Sequence, residues 1–243
     1  MQNVRQVAGI IMAAGKGTRM SPLTDKTPKP LAKIDGKTLL EINMAKMSPL
    51  VDYFVVVINY LGSQIQEYIG DSFKNKKVYY VDSLSPITGS MGAFRFGVFA
   101  NELSQESDFI LSNSDNILGQ GFYDTFEARI MQHRNEACFM AFAEPDLEKL
   151  KSQGVFVVDN ESQLVRVAEK SQTFVSNLSN VGLYYWPNSI KSLLQNKNKK
   201  IVKEELITDL MTEYLFTKSI KILTSNDYYY SLSTVEDLTK AKI

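Results

Sequence analysis

Short apolar runs alternate with segments whose apolar residues follow helical spacing along the first 145 residues. The apolar runs predict strands at 7–13, 54–58, 78–81, 109–111 and 137–143. The helically spaced segments predict helices at 38–48, 62–70, 90–102 and 121–133. Because regular alternation of strand and helix is typical of a mostly parallel sheet covered on both faces, the sequence predicts an α/β fold.

The pattern changes to shorter β segments from about residue 153. Residues 155–158 and 164–167 are apolar, and the polar segment 159–162 joins them, which predicts a β-hairpin. Ligands of open α/β sheets bind outside the carboxyl ends of the strands, and we expect the hairpin to reach over that edge. We predict one domain over residues 1–243, made of two halves: 1–145, which carries the alternation of strands and helices, and 146–243, which carries the hairpin.

A glycine-bearing loop follows the first predicted strand directly. Gly15 and Gly17 allow positive φ and let backbone N–H groups come close to an anion, while Arg19 and Lys29 add positive charge. The loop has neither the Gly-x-Gly-x-x-Gly spacing of dinucleotide folds nor the Gly-Lys-Ser/Thr ending of a Walker loop. A Gly-x-Gly turn required only for packing is the alternative interpretation.

Composition narrows the class of ligand and the cellular location. Lys and Arg number 27 and Asp and Glu number 27, so a net charge of +0 gives no long-range attraction to nucleic acid or an anionic membrane. No apolar stretch approaches the 18 to 20 or so residues that cross a bilayer, and Met1–Arg5 leads into the glycine loop instead of a cleavable signal. The single cysteine, Cys138, lies in a predicted buried strand and suits a reducing compartment. We expect a cytoplasmic protein without nucleic-acid or membrane partners.

The segment Gly15-x-Gly17-Thr18-Arg19, followed by Pro28-Lys29, resembles the nucleotidyltransferases that make nucleotide sugars from a sugar 1-phosphate and a nucleoside triphosphate. Further segments resemble the same family in the family's order along the chain: 85–94, 112–117, 167–170, 176–184 and 205–210. The resemblance implies a Rossmann-like fold and two substrates, a nucleoside triphosphate and a phosphomonoester. It covers nearly the whole chain.

The resemblance also implies a role for particular residues. Arg19 would hold the β and γ phosphates, Lys29 would lie between the two reacting phosphates, and Asp115 would bind Mg²⁺. The expected nucleotide-binding residues are Ala13, Ala14, Gly15, Gly17, Thr18, Gly89 and Ser90. The expected acceptor-binding residues are Glu169, Lys170 and Asn180.

The chain departs from the family pattern near its carboxyl end. Ser231 stands where the family usually has a carboxylate or amide as a second metal ligand, and Asp227 is a candidate replacement. Asp82-Ser83 replaces a glutamine that often reads the base, so the sequence does not predict which base is bound. Two alternatives stay open: a cytidylyltransferase for a small phosphoester such as phosphocholine, and a non-catalytic nucleotide-sugar-binding subunit. The sequence predicts no oligomeric state.

Overall fold

The computed structural model describes residues 5–83, 89–101, 105–195 and 205–242. The strands are Val7–Met12 (β1), Lys33–Ile34 (β2), Lys37–Thr38 (β3), Tyr53–Ile58 (β4), Ser72–Phe73 (β5), Lys76–Asp82 (β6), Asp108–Asn113 (β7), Asn116–Leu118 (β8), Ala137–Ala143 (β9), Gly154–Val158 (β10), Leu164–Glu169 (β11), Leu178–Trp186 (β12), Ile220–Thr224 (β13) and Tyr229–Ser231 (β14). The α-helices are Leu39–Met47 (α1), Gly62–Ile69 (α2), Gly89–Val98 (α3), Gln120–Gln132 (α4), Leu147–Leu150 (α5), Ile190–Gln195 (α6), Ile207–Tyr214 (α7) and Val235–Lys240 (α8).

The main sheet is built around β1. Strands β4 and β7 flank β1 and run parallel to it, and β6 extends the parallel set beyond β4. Strand β12 is antiparallel to β7 and carries β9 on its other edge, with β13 parallel to β9. The predicted mostly parallel mixed sheet is confirmed.

The long strand β12 explains where the hairpin lies. Leu183–Trp186 pair with β7, whereas Leu178 and Ser179, nearer the start of β12, pair with β10 on the same edge. Strand β10 therefore continues beyond the carboxyl end of β7, and β11 pairs with it as an antiparallel hairpin. This geometry confirms the predicted hairpin at the carboxyl edge of the sheet.

Helices cover both faces of the sheet. Ile10 of β1 belongs to a core shared with α3 and α7, whereas Ile11 belongs to a core shared with α1 and α4. Successive strand side chains point to opposite faces, so an unbroken apolar strand such as β1 requires apolar cover on both sides. Helix α3 approaches β1 closely at Gly97, where a Cβ would lie 2.6 Å from Cγ2 of Ile10.

Helix boundaries agree with the predictions apart from α3, which ends at Val98, ahead of the predicted 102. Helix α1 begins where the Thr38 hydroxyl accepts a hydrogen bond from the N–H of Glu41 at 3.1 Å. Cys138 is buried in β9 as predicted, and burial raises its pKa to about 12. Among the described helices, none has both the length and the apolar character needed to span a bilayer.

Candidate active site

A cavity of about 440 Å³ opens at the carboxyl ends of β1 and β7, and we call it the first cavity. It is lined by Met12, Ala14, Gly15, Gly17, Thr18, Arg19, Lys29, Pro30, Ser83, Gly89, Ser90, Ala93, Asn113, Ser114, Asp115 and Ser233. The three residues expected to carry the chemistry, Arg19, Lys29 and Asp115, therefore face one space. Of the expected nucleotide-binding residues, Ala13 is outside this lining, because it is buried and its N–H donates to the carbonyl of Val57.

Glycine stands at two positions of the loop for different structural reasons. Gly17 has a φ of +65°, and a Cβ there would lie 3.0 Å from Cβ of Lys29. Only glycine combines that backbone conformation with so close a lysine. A Cβ at Gly15 would meet no atom within 4 Å, so this glycine leaves open space beside the loop.

Lys29 and Asp115 form the charged centre of the first cavity. The Nζ atom of Lys29 donates to Oδ2 of Asp115 at 2.7 Å, and the lysine is 8% exposed. The hydroxyl of Ser114 donates to the carbonyl of Met12 at 2.7 Å, which ties the ends of β7 and β1 together just before Asp115. A buried lysine stem and two joined strand ends hold this ion pair in place.

Arg19 lies at the mouth of the first cavity. It is exposed, and its guanidinium makes no ion pair or hydrogen bond with another residue in the described ranges. Five donors in a planar fork are thus available to an anion, which is the geometry that suits phosphate oxygens.

The start of α3 forms the opposite wall. Gly89 has a φ of +61°, and the hydroxyl of Ser90 accepts a hydrogen bond from the N–H of Ile207 at 2.8 Å. Ser90 therefore connects α3 to the start of α7 in addition to lining the cavity. Residues 85–86, which the resemblance also placed in this loop, lie outside the described residues.

The residues expected to bind the acceptor lie at the same sheet edge but outside the lining of the first cavity. The carboxylate of Glu169 lies over Gly154, where a Cβ would come within 2.9 Å of Oε1. The N–H of Lys170 donates to the carbonyl of Gln153 at 3.0 Å. Oδ1 of Asn180 accepts from the N–H of Gly182 and the hydroxyl of Tyr184, so this atom supports β12.

A second cavity of about 380 Å³ adjoins the first, and Arg19 and Ser233 line both. Its other lining residues are Glu144, Lys149, Ser152, Gln153, Tyr229, Tyr230, Ser231, Leu232, Asp237 and Lys240. Glu169, Lys170 and Asn180 are not part of this lining either, and the backbone hydrogen bond from Lys170 to Gln153 is the contact that leads from them to this space.

The hydroxyl of Tyr229 is influenced by a charged residue from each cavity. Burial raises the pKa of its hydroxyl, and the charges of Asp115 and Glu144 add to that rise. The ring of Tyr229 packs on Phe142 with centroids 5.5 Å apart. Its hydroxyl therefore stays protonated in the wall of the second cavity.

The carboxylates near the first cavity decide what metal could be held. Ser231 pairs with Asn116, the residue after Asp115. Asp227 is engaged elsewhere: the N–H groups of Gly121 and Tyr228 donate to it and lower its pKa. No group of three or more His, Cys, Asp or Glu side chains suited to a metal occurs in the described ranges. One carboxylate, Asp115, fits Mg²⁺ only in company with phosphate oxygens and water, a donor set that this ion accepts.

Several lining residues had no prediction from sequence. Asn113 and Ser114 lie in the segment 112–117 that carried Asp115, so proximity in sequence was their available signal. Ser83 and Ala93 reach the cavity from the ends of β6 and from within α3, and Ser233 reaches it from a distant part of the chain. Ala93 lies in the segment 85–94 and Ser83 stands at the position of the base-reading glutamine, so both had a signal in the sequence. Ser233 is the one of the three that the folded topology brings to this space without such a signal.

A family comparison agrees with this geometry. The family model described as nucleotidyl transferase matches residues 8–242, nearly the whole chain. The chain belongs to the nucleotidyl transferase family. Membership accounts for the order of the motifs along the chain, from the glycine loop to the segment at 205–210.

Relatives of known name include a GlmU protein and a uridylyltransferase. The bifunctional protein GlmU of Methanococcus aeolicus is 28% identical over 233 residues, which is 96% of this chain and 53% of that protein. The UTP–glucose-1-phosphate uridylyltransferase AglF of Haloferax volcanii is 28% identical over 182 residues, 74% of this chain and 72% of that protein. The chain thus spans about half the length of the GlmU relative.

Solved structures share the fold. A UDP-glucose pyrophosphorylase from Acinetobacter baumannii superposes with a TM-score of 0.81 at 18% identity, covering 97% of this chain and 91% of that one. At this identity the likeness concerns the fold alone.

Proposed function

We propose that this protein condenses a sugar 1-phosphate with a nucleoside triphosphate to give a nucleotide sugar and pyrophosphate. The observation that carries the proposal is the ion pair of Lys29 and Asp115, at 2.7 Å, in one cavity with Arg19 and the glycine loop. The names of the relatives, which include a glucose-1-phosphate uridylyltransferase, support the same reaction class.

The reaction joins two anions. A phosphate oxygen of the sugar 1-phosphate attacks the α-phosphorus of the triphosphate in line, forming one P–O bond while the bond to the β-phosphate oxygen breaks and pyrophosphate leaves. Positioning and charge neutralisation supply most of the rate in such a transfer. Nothing in the step requires a covalent bond to the protein.

Each charged residue then has one task. Arg19 holds the β and γ phosphates, because its donors form a fork that matches two phosphate oxygens. Lys29 neutralises the two reacting phosphates from a site where its stem is buried against Gly17. The N–H groups around Gly15 and Thr18, together with Gly89 and Ser90, contact the nucleotide.

The acceptor side uses the hairpin edge. Glu169 accepts hydrogen bonds from acceptor hydroxyls, Lys170 neutralises the incoming phosphate, and Asn180 contributes its amide. An acceptor in the second cavity would lie next to Gln153, whose carbonyl accepts a hydrogen bond from the N–H of Lys170.

Asp115 is the residue that would hold Mg²⁺. When bound there, the ion polarises the α-phosphate and offsets charge that develops in the transition state. Asp115 is the one carboxylate in the described lining of the first cavity, so phosphate oxygens of the nucleotide and water would have to supply the remaining ligands. The same carboxylate accepts a hydrogen bond from Nζ of Lys29.

Pyrophosphate release tests the proposal. The purified protein is incubated with each of CTP, UTP, dTTP and GTP against a panel of sugar 1-phosphates and phosphocholine, with Mg²⁺ or with a chelator. We expect pyrophosphate only with a sugar 1-phosphate and Mg²⁺. Release with phosphocholine alone would instead assign the cytidylyltransferase alternative.

Ser231 favours a second candidate, a subunit that binds nucleotide sugars without turnover. A neutral hydroxyl is a poor Mg²⁺ ligand beside a carboxylate. Tight nucleotide-sugar binding without pyrophosphate in either Mg²⁺ or Mn²⁺ would support this candidate and contradict the enzyme.

A further inference from the structure

Glu144 is a buried carboxylate in the wall of the second cavity. The residue is 4% exposed and lines that cavity directly after β9. Its Oε1 accepts a hydrogen bond from the N–H of Asp146 at 3.0 Å. Its Oε2 accepts no hydrogen bond from another described residue. Oε2 is not one of the described side-chain atoms that are fully buried without a partner, so it is open to the cavity and can accept a hydrogen bond from a group that enters there.

The cations near Glu144 do not neutralise it closely. Nζ of Lys149 stands 4.0 Å from Oε1, and that lysine side chain is 62% exposed. Lys240 pairs with Glu236 at 2.6 Å in solvent. Glu144 is therefore the buried charge at its end of the cavity, whereas Lys149 and Lys240 are exposed and screened by water. Arg19, also exposed, lies where the second cavity meets the first.

Neutral hydrogen-bonding groups also line this cavity, and its second carboxylate, Asp237, already accepts hydrogen bonds from the N–H groups of Ser233 and Thr234. Gln153 accepts from the hydroxyl of Ser179 at 2.5 Å and lines the cavity with Tyr229 and Ser231. Hydroxyls and an amide both donate and accept, which suits a ligand that carries several hydroxyl groups.

The second cavity joins the first at Arg19 and Ser233, so a ligand in it can extend toward the phosphate site. Resting on the proposed function, we infer that Glu144 selects the acceptor: its Oε2 accepts a hydrogen bond from a hydroxyl of a neutral sugar 1-phosphate. The same carboxylate repels an acceptor that carries a second negative charge at that end, such as a uronic acid 1-phosphate. Phosphocholine has no hydroxyl to donate, but the carboxylate of Glu144 attracts its cationic trimethylammonium group, so the selection that we infer is between neutral and acidic sugar phosphates.

Binding without turnover tests the inference. Titration calorimetry of the full chain, without nucleotide, compares glucose 1-phosphate with glucuronic acid 1-phosphate for the wild type and Glu144→Gln. The glutamine keeps the size of the side chain and an oxygen for the Asp146 N–H, but removes the charge. The matched control is Glu148→Gln, whose exposed carboxylate pairs with Lys151 outside the second cavity.

We expect Glu144→Gln to weaken glucose 1-phosphate binding about tenfold or more, the scale of a lost hydrogen bond to a charged group. Glucuronic acid 1-phosphate should lose little or gain, so the ratio of the two affinities shifts toward the uronate. Glu148→Gln should leave the ratio unchanged. A merely structural glutamate would weaken both ligands equally.

An unchanged affinity ratio in Glu144→Gln overturns the inference, as does a wild type that prefers the uronate or does not bind glucose 1-phosphate at millimolar concentration. These results are separate from pyrophosphate release. A shifted ratio in a protein that forms no pyrophosphate would keep the inference on recognition and remove the proposed transfer. Pyrophosphate release with an unshifted ratio would do the reverse.

Discussion

The first cavity is built around a backbone loop, whereas the adjoining second cavity is walled mainly by side chains. The first is formed by a backbone loop with three charged side chains around it, and its close contacts involve glycine and the stem of Lys29. The second is walled by side chains from β14, the segment after β9 and the start of β10, with Glu144 buried among them. A backbone cradle suits phosphate, which every nucleotide carries, whereas side chains can vary with the acceptor. On the proposed function, the chemistry common to all nucleotides belongs to the first cavity and selectivity for the acceptor belongs to the second.

Removing the charge of Lys29 should lower activity more than the other changes to the first cavity. We expect Lys29→Met to lower turnover by about a hundredfold or more, because a preorganised charge opposite the reacting phosphates is lost. The methionine keeps an apolar stem against Gly17. Steady-state kinetics measure the change.

The control for that variant is Lys37→Met, an exposed lysine of β3 outside both cavities. It should keep wild-type turnover. Equal turnover in the two variants would remove Lys29 from the proposed chemistry.

Alanine at the two loop glycines should have different effects, on stability and turnover at one position and on nucleotide binding at the other. Gly17→Ala forces an L side chain to a φ of +65° against Lys29, so we expect a loss of about 1–2 kcal/mol in the free energy of unfolding and about tenfold in turnover. Gly15→Ala meets no protein atom and should keep the stability. Its methyl group would nevertheless obstruct the approach of a phosphate and raise the KM for the nucleotide. Denaturant unfolding and kinetics measure both effects, and a stable, fully active Gly17→Ala would contradict the account of the loop.

Ser231→Asp tests whether position 231, in the lining of the second cavity, lies close enough to Asp115 to bind the same Mg²⁺ ion. A second carboxylate beside Asp115 is a better Mg²⁺ ligand than a hydroxyl, so the Mg²⁺ concentration that gives half-maximal rate should fall several-fold. Ser152→Asp adds the same charge elsewhere in the second cavity and serves as the control. If both variants respond alike, the effect is general electrostatics and Ser231 has no place near the metal.

Alkaline pH should lower the free energy of unfolding, because two buried tyrosines, one of them in the wall of the second cavity, resist ionisation in the folded protein. Burial raises the pKa of Tyr184 and Tyr229 above the usual value near 10. A group whose folded pKa is raised stabilises the fold fully below its unfolded pKa and loses that contribution as pH rises above it. We expect the free energy of unfolding to fall above about pH 10, with tyrosinate absorbance of these residues appearing only on unfolding. Ionisation of all tyrosines near pH 10 in the folded protein would contradict their burial.

Local patterns were enough to predict the main elements and the first cavity's motif. The glycine loop, Arg19 and Lys29 lie within about fifteen residues, and strand–helix alternation fixes which sheet edge they occupy. The predicted roles of these residues remain predictions, although the structure brings Arg19, Lys29 and Asp115 to one space.

Sequence could not reveal the second cavity. Glu144, Gln153 and Ser231 lie in three separate segments, and they meet because β12 carries β7 and β10 on the same edge. No spacing rule within a segment encodes such a long-range pairing. Likewise, Asp227 looks available in sequence, but the N–H of Gly121, at the start of α4, and the N–H of Tyr228 donate to its carboxylate.

The central claim is that the Lys29–Asp115 cavity joins a sugar phosphate to a nucleotide. The most direct measurement is mass spectrometry of the products formed from a nucleoside triphosphate panel, a hexose 1-phosphate and Mg²⁺ by the wild type and by Asp115→Asn. The account predicts one nucleotide sugar and an equal amount of pyrophosphate from the wild type, with formation reduced at least about a hundredfold in the variant. Nucleotide-sugar formation that is undiminished in Asp115→Asn, or absent from the wild type with every triphosphate, would contradict it.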